Sequence, residues 1–261
     1  MRTSLVALAV AAFSTGVVSA REGVDADRDR SAIRQAALDY AEGFYEGSVE
    51  RMARAVHPAL LKRGLLPPGV PDRFLHLMNA ETLIDLTASE RGSPAADRRL
   101  DFALLDLRDD VASARIFTAQ FNDYLLLAKQ DERWRIVSVL WQVPASAGSE
   151  LDRAAVKKAI GEFYEALYAG DAARIRPVVH PELVRRTLRP GARGALVLDD
   201  SNVDRLLGAP LLTPAEKSNT VQVLDVHDRI ASARVTQQSH GSYVHLAKQK
   251  GRWRLVNMLS R

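Results

Sequence analysis

The sequence predicts an α+β chain of two tandem domains, each with N-terminal helices packed on an antiparallel sheet. Three observations predict it. One domain is written twice; within each copy the apolar period changes from helical to strand-like; and cysteine is absent, so each copy must be held by its apolar core alone.

The repeat organises the chain. Asp29-Arg30 returns as Asp152-Arg153, and the same offset of 123 carries Glu42 to Glu165, Tyr45 to Tyr168 and Gly47 to Gly170. It also carries Arg51 to Arg174, Val56-His57-Pro58 to Val179-His180-Pro181, and Leu60, Arg63 and Leu65 to Leu183, Arg186 and Leu188. Further on the offset is 119, and Leu105-Asp106 matches Leu224-Asp225. Ala112-Ser113-Ala114-Arg115 matches Ala231-Ser232-Ala233-Arg234, Tyr124 matches Tyr243, and Arg133-Trp134-Arg135 matches Arg252-Trp253-Arg254. The fall in offset marks a net deletion inside the second copy. The domains are placed at 27–142 and 150–261, joined at 143–149 by a small, Pro- and Gly-containing linker.

In the first copy Ile33, Ala36, Ala37, Tyr40, Phe44 and Tyr45 recur at three- and four-residue steps, an apolar stripe on one helix face. Gly47 is placed to end that helix, because the position after a helix favours positive φ. Ser48, and Asp171 in the second copy, are placed to cap the short helix that follows. Pro58 and Pro181 suit the start of a third helix, where a missing N–H costs nothing. A further short helix is expected near 80–87, with its counterpart near 202–207. The period then changes. Residues 111–118, 120–129 and 133–141 are rich in β-formers and separated by polar turns, of which Gln130-Asp131-Glu132 is the clearest. Helices followed by a meander give an α+β domain with its helices on one face of the sheet.

Residues 1–20 read as an export leader: Arg2, then an apolar Leu5–Phe13 stretch, then Val18-Ser19-Ala20 with small residues for cleavage after Ala20. The expected location is the periplasm or the outside of the cell. No later segment reaches the roughly 20 apolar residues of a membrane span. The net charge of +4 comes from basic residues interleaved with acidic ones, without an aromatic ladder, so nucleic acid is not expected as a partner. The chain has no Cys nucleophile, G-x-S-x-G elbow, phosphate loop, dinucleotide fingerprint or H-E-x-x-H. His240 and His245 fall on opposite faces of a strand, so neither a metal nor a cofactor is expected.

Tyr45-Glu46-Gly47, the His57-Pro58 step, and Asp123-Tyr124-Leu125 running on to Trp134-Arg135-Ile136-Val137 resemble the family labelled putative lumazine-binding, of the nuclear transport factor 2-like superfamily. The resemblance covers nearly all of both copies. The second departs from it at Ser242, where the first has Asp123. It implies cone-like domains, each a curved sheet wrapped around the helices, often with an apolar pocket between them. It also implies association through the sheets. In one chain that means an intramolecular pseudo-dimer, or else a homodimer.

Within such cones Asp123 is the candidate general base, since a carboxylate in an apolar cavity has its pKa raised; Tyr45 or Tyr124 would then face an oxyanion. As an alternative, Asp123 accepts backbone hydrogen bonds at a turn. Tyr45, His57, Tyr124, Trp134, Tyr168, His180, Tyr243 and Trp253 are the candidates for a ligand-binding lining. A core role for the aromatics, and helix capping by the histidines, stay open. Arg63 and Arg186 suit either an anionic ligand or surface ion pairs. The favoured function is non-enzymatic binding of a small apolar or aromatic molecule. Isomerase, cyclase or lyase chemistry at Asp123 is one alternative, and protein interaction with filled pockets is another.

Overall fold

The computed structural model describes residues 13–65, 75–89, 99–208, 219–237 and 241–261, with the backbone alone for 13–24. Most of the expected export leader, and His240, therefore lie outside the described residues. The first unit runs α1 (Phe13–Glu46), α2 (Val49–Ala55), β1 (Val56–Gly64), β2 (His76–Asn79), α3 (Ala80–Ser89), β3 (Leu100–Arg108), β4 (Val111–Thr118), β5 (Asn122–Gln130) and β6 (Arg133–Gln142). The second runs α4 (Glu150–Ala169), α5 (Ala172–Ile175), β7 (Val179–Pro190), β8 (Leu196–Asn202), α6 (Val203–Leu207), β9 (Asn219–His227), β10 (Ile230–Gln237), β11 (Gly241–Gln249) and β12 (Arg252–Ser260). The sheets have matching orders, β2-β1-β6-β5-β4-β3 and β8-β7-β12-β11-β10-β9. Each is antiparallel at every junction but one, β1 with β6 and β7 with β12 being parallel. Among the described residues no helix is long and apolar enough to cross a membrane.

The local signals act as their chemistry dictates. Ile33, Ala36, Ala37 and Tyr40 are buried on the sheet-facing side of α1. Gly47 and Gly170 both take φ 66°, the left-handed region that ends a helix. The side chains of Ser48 and Asp171 accept the backbone N–H groups of Arg51 and Arg174. Asp131 and Glu132 both have positive φ, as a tight β5–β6 hairpin requires.

The helix expected at Pro58 and Pro181 is not formed. Both prolines lie in strands, β1 and β7. The register of β1 on β6 slips between Val56 and Leu61, so Pro58 sits in an irregularity where no ladder N–H is needed. His57 and His180 therefore cap no helix. Their Nδ1 atoms accept the N–H of Ala59 (3.0 Å) and of Glu182 (3.1 Å), inside the same slips. Paired slips recur at Leu104/Asp106 and Leu126/Leu127, and in the second sheet at Ser232/Ala233 and His245/Leu246. Such bulges bend a sheet and let it wrap its helices.

Alternation along β5 divides two cores. Leu125 and Leu127 join the core under the helices, with Ile33, Tyr40 and Leu60. Tyr124, Leu126 and Ala128 face the other way, into cores shared by the two units. There Tyr124 packs with Leu140, Ile230 and Val256, and Tyr243 packs with Val137, Leu126 and Leu259.

The contacts across this seam are reciprocal. Ser113 and Ser232, partners in the repeat, share a 2.8 Å hydrogen bond. Arg115 pairs with Asp225 (2.8 Å), and its repeat partner Arg234 pairs with Asp106 (2.9 Å). Arg63 donates to the Asn257 side chain (2.7 Å) and the Glu182 carbonyl (3.0 Å). Arg186 donates to the carbonyls of Val137 and of Ala59. Both arginines are at most 2% exposed, so they are neither surface ion-pair residues nor open to a ligand. The linker is docked: Gly148 N–H donates to Val226 O (2.9 Å), and Ala147 bridges His227.

Candidate functional site

Three polar side chains meet beneath the helices of the first unit: Tyr40 from α1, Lys62 from β1 and Asp123 from β5. Lys62 Nζ donates to Tyr40 Oη, and Tyr40 Oη–H donates to Asp123 Oδ2 at 2.8 Å. Lys62 Nζ also lies 3.6 Å from Asp123 Oδ2. All are buried, Asp123 completely. Burial raises the Asp123 pKa, against the lowering effect of Lys62. Burial lowers that of Lys62, against the raising effect of Asp123. Tyr40 is held firmly protonated, by burial and by the Asp123 carboxylate.

Aromatic rings enclose the trio. Lys62 Nζ is 5.0, 5.2 and 5.4 Å from the ring centroids of Tyr40, Phe121 and Trp141. Tyr45 stacks on Phe121 at 5.9 Å. Three buried polar atoms here have no partner among the described residues: Asp123 Oδ1, Tyr45 Oη and Trp141 Nε1. Such an atom has lost water without replacing its hydrogen bond, a cost on the order of 1–3 kcal/mol that a bound polar molecule would remove.

Gly64 makes room for the indole. A Cβ at Gly64 would lie 2.1 Å from Trp141 Cε2. Gly64→Ala is therefore expected to push Trp141 aside, at about 1–3 kcal/mol of stability, and to shift tryptophan emission to the red. An unchanged spectrum at unchanged stability would mean that strand packing does not hold the indole in place.

Of the residues singled out from sequence, Asp123 and Tyr45 stand in this site. Asp123 is no turn acceptor; it is a strand residue opposite Trp141 and Ile116. Tyr124 and Tyr243 stand on the opposite sheet face, in the seam, where Tyr243 Oη donates to Asp106 at 2.8 Å. His57 and His180 also lie along the seam. Burial lowers both of their pKa values, helped at His57 by Arg186 and Arg135 and at His180 by Arg63 and Arg254. Trp134 lies at the far end of the β5–β6 hairpin, roughly 20 Å along the strand from Asp123. There its indole donates to Asp29 (2.8 Å), which also pairs with Lys129 (3.0 Å). Trp253 has the equivalent place, beside the Lys248–Asp152 pair. These repeated residues clamp the first helix of each unit to its hairpin. Tyr168 accepts hydrogen bonds from Asn219 (3.2 Å) and Gln237 (3.1 Å) in the second unit.

Tyr40, Lys62, Phe121, Trp141 and Gly64 were not picked out as site residues from sequence. The signal that finds them is divergence between the copies. At the repeat positions of Tyr40, Lys62, Gly64, Asp123 and Trp141 the second copy has Phe163, Arg185, Thr187, Ser242 and Ser260. Thr187 and Ser260 face each other at 3.2 Å, where the first unit has glycine beneath an indole. Among the described residues no cluster of His, Cys, Asp and Glu could hold a metal ion.

The model of the family described as "Putative lumazine-binding" matches residues 28–142 and again 151–259. No curated protein matches the chain. Among solved structures, a nuclear transport factor 2-like protein of unknown function from Silicibacter pomeroyi is 15% identical, over 46% of this chain and 98% of its own, with a TM-score of 0.40. A nuclear transport factor 2-like protein of unknown function from Methylobacillus flagellatus is 18% identical, over 45% and 97%, with a TM-score of 0.37. A ketosteroid isomerase-like protein from Erwinia carotovora is 13% identical, over 43% and 96%, with a TM-score of 0.29. With both copies matched over nearly their whole length, the chain belongs to the putative lumazine-binding family, as two copies of its domain in one polypeptide.

Proposed function

We propose that this is an exported, non-enzymatic binding protein whose first unit holds one small molecule with an aromatic or apolar body and a polar head. The observation that carries the reading is the buried Lys62–Tyr40–Asp123 trio, set among aromatic rings, with Asp123 Oδ1 unpartnered among the described residues. Rings suit a flat apolar body, and the free carboxylate oxygen suits a hydrogen-bond donor on it. The second unit lacks the trio and serves as the first unit's tethered partner across the seam. The stoichiometry is then one ligand per chain, and the protein is a monomer in solution.

Native mass spectrometry of protein purified from its own source is expected to show one retained small molecule per chain. Asp123→Asn is expected to weaken binding of that molecule about 10- to 100-fold, the worth of a hydrogen bond to a buried charge. Two ligands per chain, or unaltered affinity in the variant, would remove the reading.

The free oxygen of Asp123, with its raised pKa, also favours a second reading as a general base in isomerase, cyclase or lyase chemistry. That reading requires exchange of a ligand C–H with solvent deuterium, lost in Asp123→Asn. Binding without exchange excludes it.

A further inference from the structure

We propose that Lys62 is a carbonyl-capturing amine, which holds an aldehyde or ketone ligand as a reversible imine while Tyr40 and Asp123 move the protons. This deepens the binding function given above and rests on it.

The fold does not need the trio. At the three positions of the trio the second unit has Phe163, Arg185 and Ser242 and builds the same sheet order. A buried ion pair is often replaceable by apolar residues at no loss of stability, so folding alone gives little reason to keep one. Arginine cannot form an imine, and Phe163 and Ser242 cannot relay protons as Tyr40 and Asp123 do. The three changes together remove one chemistry.

The hydrogen bonds form a relay: Lys62 Nζ to Tyr40 Oη, then Tyr40 Oη to Asp123 Oδ2. One proton shift along it leaves a neutral amine, a neutral tyrosine and a protonated Asp123. Burial favours this distribution at both ends, because it penalises the ammonium and the carboxylate alike. The neutral Nζ attacks the carbonyl carbon, a C–N bond forms, and the C=O π pair moves to oxygen. With transfer of one proton from nitrogen to oxygen, the product is a carbinolamine. Protonation of its hydroxyl by Asp123 breaks the C–O bond, releases water and leaves a protonated imine beside the Asp123 carboxylate. Water returning by the reverse route frees the ligand, so no oxidant or reductant is needed. The imine cation lies where Lys62 Nζ now lies, within 5.4 Å of three ring centroids. The lysines of the helix clamps differ. Lys248 is paired with Asp152; Lys129 is paired with Asp29, a contact that raises its pKa against the lowering effect of its partial burial.

The test uses the full chain with benzaldehyde and cyanoborohydride, read by intact mass and peptide mapping. The expected result is one benzyl group per chain, on Lys62, at a rate roughly tenfold or more above that of the other lysines. Lys62→Arg, which keeps a long basic side chain without a nucleophilic amine and copies the second unit, should lose that label; Asp123→Asn should slow it about tenfold or more. Benzyl alcohol, of the same shape without the carbonyl, is followed in parallel by tryptophan quenching. If it binds and benzaldehyde never labels Lys62, the imine is excluded and the binding reading stands. If the alcohol does not bind and the label spreads evenly over lysines, both are overturned.

Discussion

Arg186→Ala is expected to cost about 3–5 kcal/mol of unfolding free energy, the largest effect of any single truncation proposed for this chain. The guanidinium is 1% exposed and crosses the seam to two backbone carbonyls, Val137 and Ala59, while pairing with Asp200 at 3.1 Å. Truncation leaves the buried Val137 carbonyl without this donor, removes the bond to the Ala59 carbonyl at the edge of the seam, and opens a gap the packed sheets cannot readily fill. Arg63→Ala removes the reciprocal bonds, to Asn257 and Glu182, and is expected to act in the same direction. Urea denaturation of each variant measures the loss. A cost under about 1 kcal/mol for Arg186→Ala would mean that the apolar seam alone holds the units together.

Acidification is expected to weaken the same seam. His180 and His245 are almost wholly buried, and burial, with Arg63 and Arg254 facing His180, lowers their pKa values to about 4 and about 3. Both are neutral in the folded chain and take up a proton on unfolding once the pH falls below about 6.5. The unfolded state binds more protons in this window, so stability rises with pH across it. It is complete above about pH 6.5 and is lost progressively as the pH falls toward the folded values. The loss is on the order of 3 kcal/mol for His180 and somewhat more for His245. The raised Asp123 carboxyl works in the opposite sense at the lower end of the window. His245 stands where the first copy has Leu126, with Tyr124 6.0 Å away and Asn257 Nδ2 at 3.4 Å. His245→Leu is therefore expected to flatten the pH dependence and to raise stability in acid. Denaturation midpoints between pH 4 and 7 that match wild type in this variant would disprove the assignment.

Divergence and identity between the copies carry different information. Apart from Tyr45, the matched residues followed above are scaffold: Asp29, Lys129 and Trp134 clamp helix to hairpin, and Arg63, Arg115, Ser113 and Tyr124 build the seam. Both units must fold and must meet each other, so both keep these residues. The candidate site holds Tyr40, Lys62, Asp123 and Trp141, which the second unit has lost. A search for repeats finds the first set and passes over the second.

The sequence by itself determined the duplication, the helix stripe of α1, the glycine ends at Gly47 and Gly170, the caps and the hairpin meander. Each is a local matter of backbone conformation, side-chain spacing or a hydrogen bond a few residues long. Tertiary structure alone decided three things. Pro58 and Pro181 went into strands, because a register slip removes the need for their N–H groups. Tyr124 turned away from Asp123, because neighbours on a strand face opposite sides and the far side belongs to the other sheet. Lys62 came to Asp123 across 61 positions of chain, because β1 lies beside β6 and β6 beside β5. Pairings of that range depend on which strands become neighbours, and no spacing within one strand encodes them.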